Sequence, residues 1–198
     1  MPEGETRTRR ELDAALRALL NEKPLARIRV RELTERCGLR RQSFYYHFKD
    51  VYDLFDWCVE RERGVLRARR GECVTWEQVL RDLWGRTAEH GAFYRAVAEQ
   101  RGRRGLGDLL ELREPLGQAY TYYRNRCGAP PDPAAEEMRL GWGEAVLLSL
   151  LEDRMRGDLD LEPETMLQML EKVVRQSVAG ATAQTLRRQR EEEPWGEL

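Results

Sequence analysis

Histidine is nearly missing from this chain: His47 and His90 are the only two in 198 residues. Neither has the spacing to a nucleophile that a catalytic pair needs, and no cofactor fingerprint stands beside them, so an enzyme is not expected and no cofactor is assigned. Close cysteine pairs are missing too. Cys37, Cys58, Cys73 and Cys127 are scattered with no C-x-x-C, whereas zinc sites and redox dithiols use close pairs. Four cysteines could form two disulfides, but a chain with this much core does not need them, and plain buried or half-buried thiols are expected. No apolar run reaches the length of a membrane span. The opening "MPEGETRTRRELDAALRALL" lacks the apolar core and small-residue cleavage site of a signal peptide, so the expected location is the cytoplasm. Strand-like alternation is absent apart from "RIRVRE", which a helix absorbs, and no repeat period is visible.

Charge is abundant. Charged residues make up 35% and hydrophobic residues 41% of the chain, with a net charge of −1. That balance alone argues against a nucleic-acid binder, but its distribution does not. Residues 1–70 carry 17 Lys+Arg against 12 Asp+Glu, and the rest of the chain carries 17 against 23. A basic N-terminal third on an acidic body suits a polyanion-binding head attached to a different kind of domain.

The hydrophobic pattern is helical almost throughout. Leu12, Ala15, Leu16, Leu19 and Leu20 form the stripe of an amphipathic helix, which Asn21 and Pro24 stop. Val30 to Cys37 gives a short helix ending at Gly38 as a left-handed cap. After a turn and a second short helix, Asp50 caps a helix running to about Arg70, with Asp53 in its first turn. Gly71 to Val74 reads as a joint, and Thr75 with Gln78 as the capping box of the next helix, which Gly91 breaks. "RGRRGLG" at 101–107 reads as a loop; without a preceding strand it is no phosphate cradle. Its Arg101, Arg103 and Arg104 could meet an acidic partner or solvate the loop, and the loop is favoured. Leu109 to Arg126 is helical, with Pro115 and Gly117 predicting a kink or a late start. Two long helices, about 133–156 and 163–189, close the chain. Their apolar residues cover more than one face, which implies burial on more than one side and hence a partner subunit. The tail from 190 to 198 carries no core pattern beyond Trp195 and is expected to fray.

Helix, short helix, glycine turn, short helix is the order of a helix-turn-helix, whose second short helix enters the major groove. Its stretch here is "RRQSFYYHFKD", residues 40–50. Phe44 and Phe48 are four apart and share a face, so they and Leu39 belong to the core. Tyr45 and Tyr46 cannot follow them inward. With Arg40, Arg41, Gln42, Ser43 and His47 they form the outward surface, where tyrosine can contact sugar and donate to phosphate. Gln42 can pair with an adenine edge and Arg41 with a guanine edge. His47 reads equally as a structural donor beside Phe48 or as a base reader. An ordinary aromatic packing helix would leave two arginines, two tyrosines and a lysine exposed without purpose.

This stretch closely resembles the DNA-binding domain of the TetR family of bacterial regulators, from about Arg10 to Leu54, with "CGL", "SFYYHFKD" and "VYDLF" as its most specific parts. "LRRQSFYYHFKDVYDLFDW" looks most like the dihydroxyacetone kinase operon regulators. The resemblance implies an all-α, TetR-like fold of about nine helices. It implies a helix-turn-helix head (1–50), a connecting helix (51–70), and a regulatory and dimerisation domain (71–189) that pairs through its last two helices. It implies a double-stranded DNA operator as partner. By resemblance Ser43, Tyr46 and Lys49 would contact phosphate, and Arg40, Arg41, Gln42, Tyr45 and His47 bases or sugar. Arg29 and Arg40 depart from the family, many of whose members carry Ser or Thr there as helix caps; arginine cannot accept from backbone N–H groups, and phosphate attraction is the expected compensation. The resemblance also raises a pocket for a small-molecule effector, with Trp76, Leu80, Trp84, Phe93, Tyr120, Tyr123 and Trp142 as candidate lining. At helical spacing such aromatics are more often core, and regulators of the subgroup respond to a partner protein. The alternative is a helical interaction module whose head no longer binds DNA specifically.

Overall fold

The computed structural model describes residues 7–192, with side chains through residue 180. Nine α-helices and one 3-10 turn make up the ordered elements among the described residues: α1 (Arg7–Leu20), the turn Leu25–Arg27, α2 (Val30–Cys37), α3 (Arg41–His47), α4 (Val51–Glu72), α5 (Trp76–Glu89), α6 (Gly91–Leu110), α7 (Arg113–Cys127), α8 (Pro133–Arg156) and α9 (Pro163–Glu192). The expected tail anchor Trp195 lies outside the described residues.

The caps set most of the boundaries. Gly38 closes α2 at φ 66°, the left-handed conformation that glycine adopts without a Cβ penalty. The Asp50 carboxylate accepts from the Asp53 N–H at 2.9 Å, and Asp53 accepts in return from the Lys49 N–H at 2.9 Å. Thr75 and Gln78 cap α5 reciprocally, and Asp132 caps α8 just before Pro133. Arg29 and Arg40 stand at the N-caps of α2 and α3 with no side-chain capping bond. At α2 the Glu32 carboxylate takes over part of that duty by accepting from the Arg29 N–H at 2.9 Å.

Residues 101–107 depart from the loop expected of them. They are helical, the second half of α6, and the interruption is confined to Gly102 at φ 69°, ψ 176°. The break folds the chain tightly enough that a Cβ on Gly105 would come within 2.4 Å of the Arg101 Cβ. Glycine clusters therefore mark a kink inside a helix here, not a connection. The stretch from Leu109 is interrupted as well: α6 ends at Leu110, Glu111 turns left-handed at φ 48°, and α7 starts late at Arg113 with Pro115 in its first turn.

One hydrophobic core runs through the molecule. Leu12, Leu16, Leu33 and Phe44 supply its head, and Phe55, Cys58, Leu80, Trp84, Phe93, Val97, Leu106 and Leu116 continue it through the body, all buried. Helix α4 packs on both α1 and α6, and α1 also packs on α6, so the head is seated directly against the body. Helix α8 packs on α6, α7 and α5, and α9 on α7 and α5, more than the two pack on each other. All four cysteines are free thiols. Among the described residues no helix is long and apolar enough to cross a membrane.

Candidate nucleic-acid interface

Helix α3 is seven residues long and too short to persist alone. It is held by its aromatic face. Phe44 is fully buried, and Phe48, which closes the helix, is 4% exposed; their ring centroids lie 5.9 Å apart. Phe48 also packs on Trp57 of α4 at 5.8 Å. Tyr45 is 58% and Tyr46 85% exposed. The five consecutive rings thus divide by helical geometry, as their spacing requires. His47 falls between the two groups. It is half-buried, with Tyr46 edge-on at 5.0 Å, and burial together with the charge of Arg9 lowers its pKa below the usual histidine value.

The cations on this side are of two kinds. Arg31 pairs with Glu35 and Arg36 with Glu22. Arg29, Arg40, Arg41 and Lys49 are exposed and, among the described residues, form no ion pair. Gln42 is exposed beside them and Ser43 half-buried. The structure therefore brings Arg40, Arg41, Gln42, Tyr45, Tyr46 and Lys49 to the outer side of one short helix and its ends, while Arg29 stands at the start of the preceding one. Such a surface offers unpaired positive charge, tyrosine hydroxyls and an amide, the donor types that meet phosphate, sugar and base edges.

Arg9 carried no sequence signal. Its guanidinium lies over the Phe48 ring at 5.6 Å and the Trp57 ring at 5.9 Å, so it clamps the end of α3 from α1. Glu62 was equally unmarked. It occupies a position in the apolar stripe of α4, between Val59 and Leu66, and is fully buried. A carboxylate where the stripe calls for an apolar side chain is the signal that could have found it. Burial alone would raise its pKa, but bonds from Arg86 and Tyr94 and the charges of Arg17 and Arg86 outweigh it and hold the group at about 2.

Of the seven residues expected to line an effector pocket, five lie in the packed interior and two border a groove. Trp76, Leu80, Trp84, Phe93 and Tyr123 are buried in the core. Trp84 is locked there: its indole N–H donates to the Leu161 carbonyl at 2.9 Å, and Arg154 lies over its ring at 4.7 Å. Tyr120 and Trp142 do border an open apolar groove of about 870 Å³, but it lies between α8 and α9. Trp142 is 67% exposed at its edge.

The N-terminal region matches the family of bacterial regulatory proteins, tetR family, over residues 12–57. The match covers the helix-turn-helix and the start of α4 and ends there. The chain as a whole shares its fold with solved proteins of low sequence identity. It is similar in structure to the dihydroxyacetone kinase operon activator DhaS, with a TM-score of 0.62 at 18% identity, over 90% of this chain and 96% of that one. It is also similar to the fatty acid degradation regulator FadR from Bacillus halodurans, with a TM-score of 0.61 at 11% identity, over 87% of this chain and 96% of that one. No curated protein matches the sequence at a significant level. Residues 40–49 lie inside the matched region and form the second short helix of the helix-turn-helix and its flanks.

Proposed function

We propose that this chain is a sequence-specific DNA-binding transcriptional regulator of the TetR type that acts as a homodimer. The observation that carries the reading is the set of four exposed cations, Arg29, Arg40, Arg41 and Lys49, whose side chains form no salt bridge among the described residues, around an aromatic helix whose outer tyrosines are exposed. Arg29 and Arg40 start α2 and α3 without capping them, and a phosphate beside each would compensate the charge and the helix end together. Ser43, Tyr46 and Lys49 then hold the backbone, and Arg41, Gln42, Tyr45 and His47 face bases or sugar. The likeness to an operon activator supports transcription as the process.

The dimer is supported by α8 and α9. Met138, Trp142 and Val146, spaced by four on α8, are 55%, 67% and 56% exposed; Met169 and Val173, spaced by four on α9, are 60% and 59% exposed. A protein rarely leaves two adjacent apolar ridges open to water unless another surface covers them. In an isologous pairing the same ridges serve both protomers. With the body's aromatics packed as core, a partner protein is better supported as the regulatory signal than a small molecule enclosed in the body.

Fluorescence anisotropy with a duplex of the gene's own upstream region tests the reading. Specific binding that outcompetes random duplex at moderate salt is expected. Equal affinity for both would leave the alternative, a helical interaction module whose head has lost specificity.

A further inference from the structure

One carboxylate joins the head to the body from inside. Glu62 of α4 accepts from the Arg17 Nη2 of α1 at 2.8 Å, from the Arg86 Nε and Nη2 of α5 at 2.6 and 3.0 Å, and from the Tyr94 hydroxyl of α6 at 2.6 Å. Arg17 is held in turn by Asp13 on its own helix at 2.9 Å, and Asp13 accepts from Arg61 of α4 at 2.9 Å. The Arg17 guanidinium lies 4.0 Å from the centroid of the Phe93 ring of α6, which gives its buried Nη1 a π face where no acceptor stands. Four helices, one from the head and three from the body and its connection, therefore meet at a single side chain.

Apolar contact between α1 and α6 is non-directional and tolerates sliding. Charge-assisted bonds of fixed fork geometry do not, and a satisfied buried network selects one arrangement over its neighbours. We propose that Glu62 is a positioning residue: its bonds to Arg17, Arg86 and Tyr94 fix the angle at which the helix-turn-helix stands on the body, and so the separation of the two recognition helices in a dimer. This rests on the DNA-binding dimer proposed above. Glu62 touches no DNA in this scheme and acts through the orientation of α1.

The test is selection of binding sites from random-sequence duplexes by the full-length wild type, Glu62→Gln and Tyr94→Phe, followed by titration of duplexes carrying one half-site or two at varied spacing. Tyr94→Phe removes one hydroxyl and keeps the ring, so it carries the test should Glu62→Gln fail to fold. Wild type is expected to prefer one spacing sharply, near one turn of duplex. The variants are expected to select the same half-site and bind a single half-site as wild type does, but to lose the preference for spacing. A spacing preference as sharp as wild type in the folded variants would overturn the proposal. So would weakened binding to the single half-site with amide protection of α1–α3 intact, because Glu62 would then govern base reading rather than orientation. Failure of the DNA reading looks different: the wild type itself would select no half-site.

Discussion

Residues 44–48 show how one short sequence serves two environments. Phe44 and Phe48 hold α3 against α2 and α4, while Tyr45 and Tyr46 stay in water. Replacing Phe48 by alanine should cost roughly 3–5 kcal/mol, seen as a lowered melting temperature. Tyr46→Phe should melt as wild type does and bind DNA more weakly; equal melting losses in both variants would contradict the division of faces. This division was legible in the sequence because a spacing of four on a helix leaves only one outcome. Glu62 was legible only as a carboxylate in an apolar stripe, because its partners Arg17, Arg86 and Tyr94 come from three other helices that no local pattern names. Its acid behaviour follows from its held-down pKa. The unfolded chain binds the Glu62 proton near 4.5 and the folded chain only near 2. The carboxylate's contribution is thus complete above about pH 4.5 and is lost as pH falls toward 2. Between pH 6 and pH 3 that loss is roughly 2 kcal/mol. Urea unfolding should show it in the wild type, and Glu62→Gln should lack this component.

Among the elements, α6 corrects the sequence most. Its glycines at 102, 105 and 107 read as a loop by composition, yet the chain stays helical on both sides of Gly102. Composition reports which conformations are permitted, and here a single residue uses the permission. The remaining turns pack under the body, with Leu106, Leu109 and Leu110 fully or almost fully buried. The backbone at Gly102 lies in a region essentially closed to residues with a Cβ. Gly102→Ala should therefore destabilise the protein by on the order of 1–3 kcal/mol, whereas Gly64→Ala on α4, in open space at ordinary helical φ, should not. Paired thermal melts of the two variants check this. The long helices α8 and α9 were foreseeable from their apolar content. The groove between them was not, since it depends on α8 packing on α6 and α7 while α9 packs on α7 and α5.

At the scale of the whole molecule, a basic head, an internal ionic joint and an open apolar flank are the three features on which the proposed regulator rests. The flank makes its own prediction. Trp142→Glu places a charge on the exposed ridge of α8 and should shift the protein toward monomer in sedimentation, with the fold of each chain retained by circular dichroism. Undiminished dimer would move the subunit contact to another surface. The head's role in DNA binding is the central claim, and the salt dependence of binding tests it most directly. The slope of log K against log salt concentration is measured by anisotropy on the upstream duplex for wild type and for Arg40→Gln/Lys49→Gln. Two cations lost from each of two protomers should make the slope shallower by about 3 to 4. An unchanged slope would contradict the account, because the unpaired cations around α3 would then not be meeting phosphate.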